Sequence, residues 1–151
     1  MSPSELVYVA LGSNLGDREA FLAQAREALG KIPLTKLVAV STVEETDPVG
    51  GPPQPRYLNQ MALLETTLDP GRFLKALHKI EDAAGRVRAE RWGPRTLDLD
   101  IVRYGTRRLR DADLIIPHPE LHKRDWWQRE IEELESWRTK QESSSPPPSD
   151  G

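Results

Sequence analysis

The 151-residue chain has no cysteine. That excludes a disulfide framework, a zinc–cysteine cluster and thiol catalysis, and it fits a reducing compartment. Long apolar runs are missing as well. The first candidate, Leu6 to Leu11, is broken by Gly12, Ser13 and Asn14. It is too short for a membrane span or the core of a secretion signal, so a cytoplasmic protein without a membrane partner is expected. Neither sign of charge is in excess: 21 basic and 24 acidic side chains leave a formal net charge of -3. This argues against a large non-specific nucleic-acid footprint but leaves room for a local basic cluster. The sequence shows no internal repeat. What remains has the length of one domain, able to bury about two-thirds of its unfolded surface around a single core without metal or disulfide staples.

Hydrophobic spacing predicts the elements. Glu5 to Leu11 reads as a strand apolar on both faces, as at the centre of a sheet. Asp17 is placed to cap a helix running to Leu29, with Leu22, Ala25 and Leu29 on one stripe and Gly30 as its stop. Leu37 to Val43 is a second strand. Glu44 to Arg56 holds Pro48, Pro52, Pro53, Pro55 and the pair Gly50-Gly51, a long loop of the kind that usually serves function. Leu58 to Leu68 returns as a strand long enough to carry a bulge or a frayed end. Asp69-Pro70 opens a second helix with Phe73, Leu77, Ile80 and Ala84 at helical spacing and Gly85 just past its end. Periodicity then vanishes, and Arg86, Arg88, Arg91 and Arg95 gather around Trp92-Gly93-Pro94 in a strongly basic loop. Leu97 to Tyr104 alternates as a strand turned by Gly105 and Thr106, while Arg108 to Leu114 carries little pattern. The order strand, helix, strand, strand, helix, strand suits an α+β, ferredoxin-like antiparallel sheet with helices packed on one face.

Asp98 and Asp100 are two apart on a strand, so their carboxylates project from the same face and repel each other. Leu97, Leu99 and Ile101 would face a core, leaving a cation to offset the like charge. Oxygen ligands with no cysteine or histidine beside them point to magnesium or manganese, completed by waters and substrate phosphates. The preceding arginines add forks that match phosphate oxygens, and a nucleoside triphosphate needs both features. A solvated strand face and a salt-bridged arginine run are the plainer alternatives. His118, between Pro117 and Pro119, sits rigidly at a site edge or is an ordinary surface residue. Glu81 lies beside the apolar stripe of the second helix, where it supports the site or pairs on a solvated face.

The segment Arg91-Trp92-Gly93-Pro94-Arg95-Thr96-Leu97-Asp98-Leu99-Asp100-Ile101 closely resembles the signature of 6-hydroxymethyl-7,8-dihydropterin pyrophosphokinases. Further similar segments follow the family order: Ala10 to Gly16, Thr46 to Gly50, Tyr57-Leu58-Asn59, Gly85 to Arg88 and Pro117-His118-Pro119. The resemblance, from about Val7 to Arg124, implies a ferredoxin-like enzyme that moves the terminal pyrophosphoryl unit of ATP to the pterin hydroxymethyl oxygen and releases AMP. It implies that Asp98 and Asp100 hold two magnesium ions. By the same resemblance Arg86, Arg88, Arg95, His118 and Arg124 contact the triphosphate, and Glu81, Trp92 and Ile101 belong to the nucleotide site. Asn59 would read the pterin edge, Tyr57 and Trp126 would sandwich its ring, and Thr46, Pro48 and Val49 would complete that pocket. Trp126 stands where phenylalanine is more usual, keeping a stacking face but enlarging it. The implied partners are ATP and the pterin, with no nucleic acid, and the implied state is a monomer. A non-catalytic regulatory or RNA-binding module on the same fold is the competing reading, although carboxylates on the central strand would repel a phosphate chain.

After Arg124 the resemblance lapses. Family members continue with a Phe-Val-Leu-x-Pro-Leu-like segment, whereas this chain has Asp125-Trp126-Trp127-Gln128 and a charged stretch. Asp125 and Gln128 have capping-box spacing, and Trp127, Ile131, Leu134 and Trp137 recur at helical intervals. A helix docked by that stripe is expected, with Arg129, Glu132, Glu133 and Glu135 toward solvent; a partner-binding helix is the alternative. One domain over 1–142 is expected, followed by a disordered tail over 143–151 that is rich in serine and proline.

Overall fold

The computed structural model describes residues 3–85 and 96–144. β1 (Glu5–Ser13) lies inside an antiparallel sheet, between β4 (Tyr57–Thr66) and β5 (Asp98–Tyr104), and β2 (Thr35–Val40) forms the far edge beyond β4. β1 is central because it is apolar on both faces. Val7, Val9 and Leu11 join one core cluster and Tyr8 and Ala10 join another.

The first cluster is covered by α1 (Arg18–Leu29) and α2 (Pro70–Ala83). Both begin as their sequences dictate: the Asp17 carboxylate accepts from the Ala20 N–H at 3.1 Å, and that of Asp69 from the Arg72 N–H at 2.9 Å, with Pro70 in the first turn. Leu22, Ala25, Leu29, Phe73 and Leu77 are all buried against the sheet. The α+β architecture with an antiparallel sheet and two helices on one face is therefore present.

A third helix, α3 (Asp125–Ser144), takes the opposite face, where Trp127, Ile131 and Leu134 pack on Tyr8, Met61, Leu63 and Val102. The Tyr8 hydroxyl donates to Glu135 Oε1 at 2.6 Å, joining β1 to the helix. Trp137, expected to complete the stripe, is instead 37% exposed. Ten residues beyond Trp127, at about 100° per residue, it points roughly 80° away from the stripe. The expected capping box is also replaced. Asp125 is the first helical residue, and the Gln128 side chain donates to the Leu121 carbonyl at 3.0 Å, because a 3₁₀ turn over Leu121–Lys123 brings that carbonyl within reach. Ser143 and Ser144 end α3, and the rest of the expected tail, 145–151, lies outside the described residues.

Two short pairings were not legible from the pattern. Within the expected loop 44–56, β3 (Glu44–Thr46) pairs with Tyr57, Leu58 and Asn59. Its three polar residues carry no alternation, so the partner strand alone makes them extended. β6 (Leu109–Arg110) and β7 (Ile115–Ile116) form a separate hairpin. No helix of the described residues is long and apolar enough to cross a membrane.

Glu130 was not expected inside. It is 2% exposed on α3, facing Glu44 of β3, and neither of its oxygens has a hydrogen-bond partner of ordinary geometry. Burial first, then the Glu44 carboxyl and the charge of Glu133, push it up to about 10 against a smaller opposing pull from Arg129. Glu130 thus stays protonated in the fold but ionises on unfolding above its ordinary value, so stability falls as pH rises between those two limits. Thermal and urea unfolding between pH 5 and 9 should show this loss, by up to about 1.4 kcal/mol per pH unit. Glu130→Gln should flatten the profile and exceed the unmodified protein at pH 9; parallel profiles would show that Glu130 is ionised in the fold.

Candidate active site

The site begins with the pleat of β5. Leu99 and Ile101 enter the core beneath α1 and α2, so Asp98 and Asp100 emerge on the other face. Across β1, Asp98 is opposite Gly12 and Asp100 opposite Ala10; on the far side of β1, Gly12 is opposite Asn59 and Ala10 opposite Met61. Helix α3 covers Met61 and Ala10 but leaves the row Asp98, Gly12, Asn59 uncovered, and a cavity of about 300 Å³ opens there. Gly12 clears its floor: a Cβ at that position would come within 3.3 Å of the Tyr57 ring and 3.5 Å of Asn59 Oδ1.

The two sides of the cavity differ in chemistry. One carries Asp98, Asp100, His118 and Arg124; the other carries Thr46, Asp47, Pro48, Val49, Tyr57 and Asn59, with Trp126 at the start of α3, and is neutral on balance because its one carboxylate, Asp47, is paired with Arg56. On the neutral side Asn59 Nδ2 donates to Thr46 Oγ1 at 2.5 Å. The proline-rich segment is tied down from outside: Asn14 Nδ2 donates to Gln54 Oε1 at 2.8 Å and to the Pro55 carbonyl at 2.9 Å. Arg56 reaches Asp47 at 3.0 Å and Glu45 at 2.9 Å, and Arg18 reaches Glu45 at 2.8 Å. The hydrogen bond from Arg18, aided by the charges of Arg56 and Arg18, holds the Glu45 carboxyl below its ordinary value.

On the charged side, an irregularity places His118. The register of β1 with β5 passes from Val9↔Ile101 to Tyr8↔Arg103, skipping Val102. The Val102 carbonyl instead accepts the His118 N–H at 2.9 Å. His118 Nδ1 accepts the Glu120 N–H at 3.0 Å, so the ring proton of the neutral imidazole belongs to Nε2, which stands 3.7 Å from Asp100 Oδ1. Arg124 lays its guanidinium over the Trp127 ring at 4.5 Å and near that of Trp126 at 5.8 Å. Neighbouring carboxylates with no soft ligand between them fit a hard divalent cation. Among the described residues no group of three or more histidine, cysteine or acidic side chains is placed to hold a metal ion.

Two expected site residues do not line the cavity. The Ile101 side chain is buried in the core on the opposite face. Glu81 is fully buried on α2, where its Oε2 accepts the Leu99 N–H at 2.7 Å, so it secures β5 between the two aspartates. Arg86, Arg88, Trp92 and Arg95 lie outside the described residues. Glu120 and Trp127 border the cavity although no motif marks the first and the spacing of the second reads as packing.

Residues 8–136 match the family model described as 7,8-dihydro-6-hydroxymethylpterin-pyrophosphokinase (HPPK). The chain belongs to the HPPK family. It is 41% identical over 121 residues to the 2-amino-4-hydroxy-6-hydroxymethyldihydropteridine pyrophosphokinase of Bacillus subtilis, covering 80% of this chain and 72% of that protein. The protein of the same description from Pseudomonas aeruginosa is 48% identical over 118 residues, 78% of this chain and 73% of its own. A bifunctional protein FolKE of Lactococcus lactis is 38% identical over 130 residues, 86% of this chain but only 37% of that longer protein. The HPPK match extends through Trp127, Ile131 and Leu134, so the first turns of α3 are inside the family region.

Within this HPPK fold Glu81 offers a direct test. Glu81→Ala should leave the Leu99 amide unpaired in the core and lower stability by about 1–3 kcal/mol, whereas Glu81→Gln keeps an acceptor and should recover part of that loss. Chemical denaturation measures the difference, and amide exchange at Leu99 should accelerate in the alanine variant; unchanged exchange would show that this hydrogen bond does not hold the strand.

Proposed function

We propose that this HPPK-family chain transfers the terminal pyrophosphoryl group of ATP to the hydroxymethyl oxygen of 6-hydroxymethyl-7,8-dihydropterin, giving AMP and the pterin diphosphate for folate biosynthesis. The carrying observation is the division of one cavity into an aspartate side and a neutral aromatic side across Gly12. A flat, amide-edged ring suits the second side, and a polyphosphate with its cation suits the first.

In this reading Tyr57 and Trp126 stack on the pterin faces, Asn59, positioned by Thr46, reads its polar edge, and Pro48 and Val49 enclose it. The hydroxymethyl group is thereby directed across Gly12 toward the aspartates. Asp98 and Asp100 would hold magnesium, two ions by the family pattern, which when bound supplies positive charge to the phosphate oxygens and a template for their alignment. His118 presents its Nε2 proton, and Arg124 its guanidinium, to those oxygens; Arg86, Arg88, Arg95 and Trp92 would serve the nucleotide from the basic segment. The hydroxymethyl oxygen forms a bond to the β-phosphorus in line as the bond from that phosphorus to the α-β bridging oxygen breaks; the hydroxyl proton passes to a phosphate oxygen and on to water, and AMP departs with the bridging oxygen. No strong base is assigned, because alignment and charge stabilisation carry most of such a transfer. The enclosing segments would exclude water, for which hydrolysis is the obvious competing reaction. The reading includes a monomer acting in the cytoplasm without nucleic acid, since two aspartates on the open sheet surface disfavour a phosphate chain unaccompanied by cation.

Asp98→Ala or Asp100→Ala should reduce AMP formation from ATP and the reduced pterin by about a hundredfold or more, the scale expected when transition-state charge loses its support. Stability should hold or rise because like-charge repulsion is relieved. Near-normal turnover with intact magnesium dependence would overturn the metal assignment. Asn59→Leu should weaken pterin binding by about tenfold or more while sparing ATP; calorimetry showing equal loss of both ligands would make Asn59 a structural residue.

A further inference from the structure

Trp127 is 1% exposed and shares the face of α3 with Ile131 and Leu134, as a packing residue would. Its ring, however, meets two groups of the charged side at once. The His118 imidazole meets it edge-on, with ring centroids 4.9 Å apart at 90°, and the Arg124 guanidinium lies 4.5 Å from its centre. Arg124 needs such support. Among the described residues no carboxylate pairs with it, and its Nε is buried without a hydrogen-bond partner. A long cation left to itself samples many rotamers, and ordering it only when an anion arrives weakens the grip. An indole face counters this by attracting the guanidinium without neutralising it. His118 is held through its backbone N–H and its Nδ1, which fix where the residue sits and which nitrogen carries the proton. The indole supplies a third contact, against the ring itself.

We propose that Trp127 is a positioning residue for polyphosphate binding, one buried indole holding the Arg124 guanidinium and the His118 imidazole in register at the aspartate side of the cavity. The inference rests on the pyrophosphokinase reading and goes beyond it by assigning to α3 a part in gripping the nucleotide. Packing alone predicts that any equal loosening of α3 has the same effect on the ligand. Positioning predicts an effect specific to Trp127 and to the phosphate-bearing ligand.

The test compares Trp127→Leu, Trp127→Phe and Leu134→Ala. Leu134 lies on the same buried face of α3, two turns from the cavity, and its truncation loosens the helix without touching the site. Binding of magnesium α,β-methylene-ATP is measured by calorimetry and turnover by AMP release, at a temperature where thermal unfolding shows all variants folded. Trp127→Leu should weaken nucleotide binding about tenfold, the combined scale of one cation–π and one edge-to-face contact. The KM for ATP should rise with it while that for the pterin changes less than about threefold. Trp127→Phe keeps an aromatic face and edge and should recover most of the loss. Leu134→Ala should melt earlier yet bind the nucleotide like the unmodified protein. Nucleotide binding within about twofold of normal in Trp127→Leu, or an equal loss in Leu134→Ala, would overturn the proposal. Absence of AMP from the unmodified protein would instead count against the pyrophosphokinase reading, and the binding comparison would still decide the role of Trp127.

Discussion

Asp98 and Asp100 stand on one face of an edge strand whose other face sends Leu99 and Ile101 into the core. The two aspartates cannot be moved apart without withdrawing those apolar side chains, since a one-residue slip in register exchanges the faces of a strand. Like charges are thus kept close by hydrophobic burial behind them. The outer edge of the same strand is used twice: Glu81 accepts the Leu99 amide, and the skipped Val102 carbonyl accepts the His118 amide. The first bond fastens the strand between the aspartates, and the second sets an imidazole beside Asp100.

The face that bears the aspartates is divided between a helix and a cavity. α3 closes over Tyr8, Met61, Leu63 and Val102, and the uncovered remainder is where Gly12 leaves room between Asn59 and Asp98. Trp126 and Trp127 stand at this boundary, the first partly exposed along the cavity and the second buried beneath Arg124 and against His118. Packing and binding are continuous here because the two residues are consecutive on one helix and point about 100° apart.

Polar contacts also tie α3 to the sheet. Tyr8 donates to Glu135, the Thr42 amide donates to Glu133 Oε2 at 2.9 Å, and Arg129 reaches Glu44 at 3.2 Å. Glu130 is buried in their midst. A carboxyl in that position is tolerated in its neutral form, so the seam between α3 and β3 weakens as pH rises. β3 also carries Thr46, which positions Asn59, so this seam reaches the neutral side of the cavity.

Local rules were sufficient wherever a segment declared its own surroundings. The caps at Asp17 and Asp69, the stripe through Leu22, Ala25 and Leu29, and the shared face of Asp98 and Asp100 all follow from periods of 3.6 and 2 and from the hydrogen bonds that helix ends require. The motif segments likewise marked the HPPK family, and Tyr57, Asn59 and His118, which those segments contain, line the cavity. β3 and the β6–β7 hairpin were hidden because their extended backbones answer to partners distant in the chain, not to their own composition. Trp137 was misplaced for a different reason: ten residues past Trp127, helix geometry turns it away from the buried stripe. The sequence by itself determined the elements, their caps and the chemistry of the two aspartates. Only the tertiary structure decided that α3 would occupy the second sheet face, bury Glu130 and set Trp127 against His118, because each of those outcomes is a contact between residues whose separation in sequence carries no periodic signal.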